Sequence, residues 1–197
     1  MPYDADDTRR RIFTAATAEF AANGLAGARV DRIAATAQAN KQAIYLYFGN
    51  KQNLFGAVVK AKLDEVCHAD ALDPGAMGES VGQLFDWYQE HPELIRLLLW
   101  EALESEEVTV PGEAERRDVY RGQARDLVDA GVGAGLDEPE RTQKAEDWLF
   151  TVLGLVAWNF AVPQLRRLVL DEDDDTSTLA RRRAAVIEAV QALSESR

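Results

Sequence analysis

Lys41, Gln42, Tyr45 and Tyr47 place several hydrogen-bonding heads on one short stretch, and Lys51 follows just past Gly49-Asn50. A glutamine amide can pair two-fold with an adenine edge, and tyrosine hydroxyls and lysine ammonium groups bind bases or phosphate oxygens. These are groups that read and hold a nucleic acid. A catalytic alternative has little to stand on, because the chain has no glycine-rich phosphate loop, nucleophile elbow or zinc-ligand spacing. Cys67 and His68 are adjacent on a predicted helix, which is the wrong spacing for two metal ligands on one face. No catalytic residue, metal or cofactor is expected.

The reading groups need elements to aim them. Val30, Ile33, Ala34 and Ala37 recur at three- and four-residue intervals, which predicts a short helix over 30–37. Gln38 to Asn40 make the turn, Asn40 offers an N-cap oxygen, and Ile44 and Phe48 supply the buried stripe of a second short helix. Asn50 is a second cap, so Lys51 falls in the first turn of a third helix, where the dipole disfavours a cation unless an anion lies nearby. Helices this short are marginal alone and require a support. The stripe Ile12, Phe13, Ala16 and Phe20, closed by Asn23-Gly24, predicts that supporting helix from residue 7 or 8 to about 22. Arg9, Arg10 and Arg11 near its start are either solvated or in reach of a nucleic-acid backbone.

Phe20, Gly24, the run Val30-Asp31-Arg32-Ile33-Ala34 and the run Tyr45-Leu46-Tyr47-Phe48-Gly49-Asn50-Lys51 with Leu54-Phe55 together resemble the DNA-binding domain of the TetR family of transcriptional regulators. A looser likeness to one subgroup of its C-terminal domains begins at His91-Pro92-Glu93-Leu94. The resemblance implies an all-α protein of about nine helices, with a helix-turn-helix DNA-binding domain at 1–56 and a ligand-binding and dimerisation domain at 57–197. It further implies a homodimer on a palindromic double-stranded operator, a repressor, and release by a small-molecule effector. Two residues depart from the family pattern. Arg29 stands where Ser or Thr usually caps the first short helix, and a guanidinium has no acceptor with which to cap. Gln42 stands where many members have glycine, so it can add a base contact. Within the motif, Lys41, Gln42 and Tyr45 are expected to face the bases, and Tyr47, Lys51 and Arg29 the phosphates.

The charge distribution agrees. The chain carries a formal net charge of −12, yet residues 1–60 hold eight Lys/Arg against five Asp/Glu. A basic head on an acidic body favours approach to a duplex by the head. A single cysteine excludes an intramolecular disulfide and, with a polar N-terminus, points to the cytoplasm.

Beyond Asp73-Pro74-Gly75 every periodic segment is helical. The most apolar run, Trp148 to Val162, has apolar residues around its whole circumference and must be covered on more than one side. It is too short for a membrane span of about 20 residues and contains Asn159. With the last helix, carrying Val186, Ile187, Val190 and Leu193, it is expected to form a four-helix dimer, with Val156 and Val190 in the seam. Candidate liners of an effector pocket are Phe85, Tyr88, Trp100, Tyr120, Trp148 and Trp158, although each taken separately reads better as plain core. Two other classes stay open: a ligand-independent architectural DNA-binding protein, and an enzyme carrying a DNA-binding head.

Overall fold

Among its described residues the computed structural model has ten helices and no strand: α1 (Ala5–Gly27), α2 (Val30–Thr36), α3 (Lys41–Phe48), α4 (Lys51–Ala69), α5 (Met77–Glu90), α6 (Pro92–Glu104), α7 (Glu113–Asp129), α8 (Glu140–Ala161), α9 (Pro163–Leu170) and α10 (Asp175–Glu195). The structure describes residues 5–69, 73, 75–104, 110 and 112–195. The sequence predicts that the helix starting at Asn50 runs to about Leu72 and that the acidic stretch Glu104 to Glu107 lies in a loop; Leu72 and residues 105–107 lie outside the described residues.

The expected count was about nine, and the additional helix is α9. Pro163 sits at its first position, where a missing N–H costs nothing. There the chain turns by 87° from α8. No single described helix is long and apolar enough to cross a membrane.

Contacts divide the chain into two units, residues 1–65 with 93–113, and residues 66–92 with 114–197. This grouping differs from the sequence division at 56 because α6 packs with the N-terminal helices. In the first unit Ile12, Phe20, Ile33, Ile44, Leu54, Phe55 and Val58 are all buried. Phe20 and Phe55 meet edge to face at 5.2 Å. α1 breaks at Gly24, whose φ of 69° ends the regular helix where Asn23-Gly24 predicts a stop, and one more turn follows to Gly27. α6 grips this break. Arg96 Nε and Trp100 Nε1 both donate to the Ala21 carbonyl, at 2.8 and 3.3 Å. Glu104 Oε2 accepts from the backbone N–H groups of Leu25 and Ala26, at 2.5 and 2.9 Å. Carbonyls orphaned by the end of one helix and amides opening the next turn are thus both satisfied by side chains.

In the second unit α5 packs on α8 and α10. Val81, Leu84, Phe85, Leu149, Val152, Val156, Val186 and Val190 form its core. Asp86 accepts two hydrogen bonds from Arg183, at 2.7 and 2.8 Å. His91 is the C-cap residue of α5 and stands beside Trp87. Val156 and Val190 are 0% exposed within one chain. The seam expectation for these two residues is therefore corrected: their side chains face the chain's own core. What α8 leaves outside is Phe150, 81% exposed, and Trp158, 60% exposed. Gly154 lies between them, with nothing within 4 Å of where a Cβ would stand.

Candidate nucleic-acid interface

The two short helices rest on α1, and their ends are fixed by polar contacts. Asn40 caps α3 as expected, its side chain accepting from Gln42 N at 2.9 Å. Asn50 does the same for α4 through Asn53 N at 2.7 Å. Gln38 adopts φ 50° in the turn. Arg11 stabilises that turn by donating to the carbonyls of Ala37 and Gln38, at 2.7 and 3.2 Å, while Asp7 holds the guanidinium from behind. Arg11 is thus a structural residue. Arg9 lies over the Phe48 ring.

Arg29 is the N-cap residue of α2 and makes no side-chain cap bond. Its own N–H is taken by Glu19 Oε1 from α1 at 2.9 Å. A carboxylate near a helix N-terminus also suits the dipole. Glu19 thus satisfies the amide of the N-cap residue itself, a different donor from the one that a Ser or Thr cap would reach. Its place on α1, outside the apolar stripe, gives no signal of this. The Arg29 side chain is left exposed, without a hydrogen bond or ion pair among the described residues.

Gln42 and Tyr45 lie exposed on α3, and Tyr47 is half-buried. The Gln42 side-chain amide makes no hydrogen bond among the described residues, so its donor and acceptor remain available. Lys41 is held otherwise. Its ammonium lies 2.7 Å from Asp31 of α2. The hydrogen bond to Asp31 raises the lysine above its usual pKa. Lys51 Nζ turns back onto the end of α1 and the residue after it, 3.3 Å from Ala26 O and 3.2 Å from Ala28 O. The negative end of α1 thus offsets the unfavourable dipole of α4, an explanation for this lysine that requires no phosphate.

The structure therefore brings Arg29, Gln42 and Tyr45 together as exposed groups around the helix-turn-helix, with Lys41 and Lys51 beside them but engaged. Replacing Asp31 by Asn should release Lys41 and remove a negative charge from this face. Affinity for unrelated duplexes should then rise severalfold, and the slope of log K against log salt should steepen by roughly one per half-site. Titration of wild type and variant against random duplex across salt concentrations measures both. An unchanged slope would show that Lys41 is not freed to meet phosphate.

The six effector candidates do not share one cavity. Phe85 and Tyr88 both contact Phe160, at 4.9 and 6.0 Å between centroids. Trp148 is buried on α8, whereas Tyr120 is 39% exposed on α7 and Trp158 lies on the open side of α8. Trp100 belongs to the other unit and binds Ala21 O. A groove of about 220 Å³ opens where α8, α9 and α10 meet, and of the six only Trp158 lines it, with Leu165, Val169, Arg166 and Arg182.

Two short helices joined by a tight turn, carried on a support helix and presenting exposed polar groups, define a helix-turn-helix DNA-binding protein. Residues 12–58 match the family of bacterial regulatory proteins called tetR, and residues 77–191 match the tetracyclin repressor-like C-terminal domain. The chain is 42% identical over 173 residues to the HTH-type transcriptional repressor SCO4008 of Streptomyces coelicolor, covering 87% of this chain and 88% of that one. It is 32% identical over 147 residues to the HTH-type transcriptional repressor NicS of Pseudomonas putida, covering 67% of this chain and 66% of that one. Among solved structures, the transcriptional regulator SCO4942 of Streptomyces coelicolor superposes with a TM-score of 0.76 at 31% identity, over 94% of this chain and 97% of that one. The chain belongs to the TetR family. It is a DNA-binding transcriptional regulator and not an enzyme.

Proposed function

We propose that the protein is a homodimeric repressor that binds an inverted-repeat operator and leaves it when a small molecule binds residues 75–197. The observation that carries the reading is the exposed polar face of α3, held in place by capped helix ends, in a chain 42% identical to a named repressor. In this reading Gln42 and Tyr45 face bases, joined on the operator by Lys41 once a base-edge acceptor competes with Asp31 for it, whereas on unrelated duplexes the released lysine meets phosphate. Arg29, Tyr47 and Lys51 face the backbone. Lys51 can bind phosphate without leaving α1, because an ammonium has three N–H donors and two carbonyls take only two.

Dimerisation is assigned to the uncovered side of α8, with Phe150, Gly154 and Trp158, and to the exposed side of α10. Two copies placing their heads on successive major grooves require half-sites about 34–36 Å apart or a multiple of that. Effector coupling in such systems is typically about 1 to 3 kcal/mol. α4 joins the reading head to the rest of the chain and is one route for it. α6 is a second, since it lies within the segment matched to the C-terminal domain yet holds the α1 break, close in sequence to Arg29. An effector that displaced α6 would loosen the support of the reading helices.

Selection of bound fragments from genomic DNA, followed by titration on the selected sequence, tests the reading. An inverted repeat bound far more tightly than random duplex is expected, with Gln42→Ala costing about 1 to 3 kcal/mol at one base pair per half-site. Equal affinity for all duplexes with a steep salt slope would instead favour the ligand-independent architectural protein.

A further inference from the structure

Leu46 is 80% exposed in the middle of α3. On a helix of 3.6 residues per turn, successive side chains are separated by about 100°. Ile44 and Phe48 fix the buried direction of α3. Leu46 then points roughly 180° away from their mean direction, and Gln42, one turn earlier, lies within about 40° of it. The residue aimed most directly out of the protein from the reading helix is therefore an aliphatic one.

A leucine has no hydrogen-bonding group to offer a base edge or a phosphate. The one apolar feature that the major groove presents is the C5-methyl group of thymine. Among the described residues Leu46 is left 80% exposed, while Gln42 and Tyr45 beside it are polar, so the apolar spot is local and bounded rather than part of a hydrophobic patch. We infer that Leu46 is a specificity-determining residue that reads a thymine methyl group in each half-site. The inference rests on the assignment of α3 to the major groove. Gln42 and Leu46 are separated by one helical turn of about 5.4 Å. Base pairs follow one another at about 3.4 Å. The thymine therefore falls within about two base pairs of the adenine paired with Gln42.

The test uses the full-length protein and its selected operator, with each thymine of a half-site replaced in turn by deoxyuridine, which removes only the methyl group. Wild type should lose about fourfold in affinity at one thymine, the worth of burying one methyl group, and roughly 16-fold when both half-sites carry the change. Leu46→Ala should bind thymine and uracil operators equally, with an unchanged salt slope. Its melting temperature should match wild type, since the side chain is 80% exposed. Wild type indifferent to every deoxyuridine, a uracil penalty that persists in Leu46→Ala, or an operator without thymine near the Gln42 position each overturns the assignment. Wild type that prefers no sequence at all overturns the operator reading itself, and this inference with it.

Discussion

Phe150→Asp and Trp158→Asp should each yield a folded protein that sediments as a monomer at micromolar concentration and binds its operator at least a hundredfold more weakly. Both side chains stand on the open side of α8, at 81% and 60% exposure. Burying one such side chain is worth about 1.5 to 3 kcal/mol. A two-fold interface repeats each contact, because the same patch is used on both subunits. A single substitution thus removes roughly 3 to 6 kcal/mol, before the repulsion of two carboxylates brought together on the axis is counted. The monomer should keep its helical circular dichroism, since neither side chain supports the core of its own chain. Val156→Asp and Val190→Asp should behave differently. Each puts a charge where a side chain is 0% exposed, so helicity and melting temperature should fall together. Sedimentation with circular dichroism separates the two outcomes. A Phe150→Asp protein that remains dimeric would remove α8 from the interface.

That contrast also shows what the sequence could reveal. The run Trp148 to Val162 announces that α8 is apolar all round, and hence that more than one side is covered. It does not say which side is covered by the same chain, because Val156 and Phe150 are equally apolar and only α5 and α10, distant in sequence, distinguish them. In the reading head the signals are local, so Asn40, Asn50, Ile44 and Phe48 take their expected places. Missed there were the long-range roles. Glu19 on the Arg29 amide, Arg11 on the Ala37 carbonyl and Lys51 on the Ala26 and Ala28 carbonyls pair residues ten or more apart, and no periodicity records such pairs. Leu46 gives no such signal in the sequence, because it carries methyl groups and no hydrogen-bonding head. α9 is hidden in the sequence because Pro163 reads as an end, although a proline is equally suited to begin a helix.

Gly24→Ala should be the most damaging single-methyl change in the reading head. The residue has φ 69° and ψ −177°, a region open essentially to glycine alone. Holding another residue there costs of order 1 to 3 kcal/mol. A Cβ would also stand 2.5 Å from Glu104 Oε1 and 2.8 Å from the Trp100 ring. Relieving that overlap moves the two side chains that hold the break. Overpacking of this kind adds about 1 to 3 kcal/mol. Together these amount to roughly 2 to 6 kcal/mol, against a total stability of about 5 to 15 kcal/mol. The melting temperature should fall by roughly 5 to 20 °C. Operator affinity should fall with it, whereas the dimer, assigned to α8 and α10, should persist. The two causes can be separated. In a Glu104→Ala, Trp100→Ala background the overlap is gone but the backbone strain remains, so Gly24→Ala should cost less there than in wild type, by an amount that the mutant cycle reads as coupling. Equal costs in the two backgrounds would mean that α6 does not clamp the α1 break, and would close the α6 route from effector to DNA.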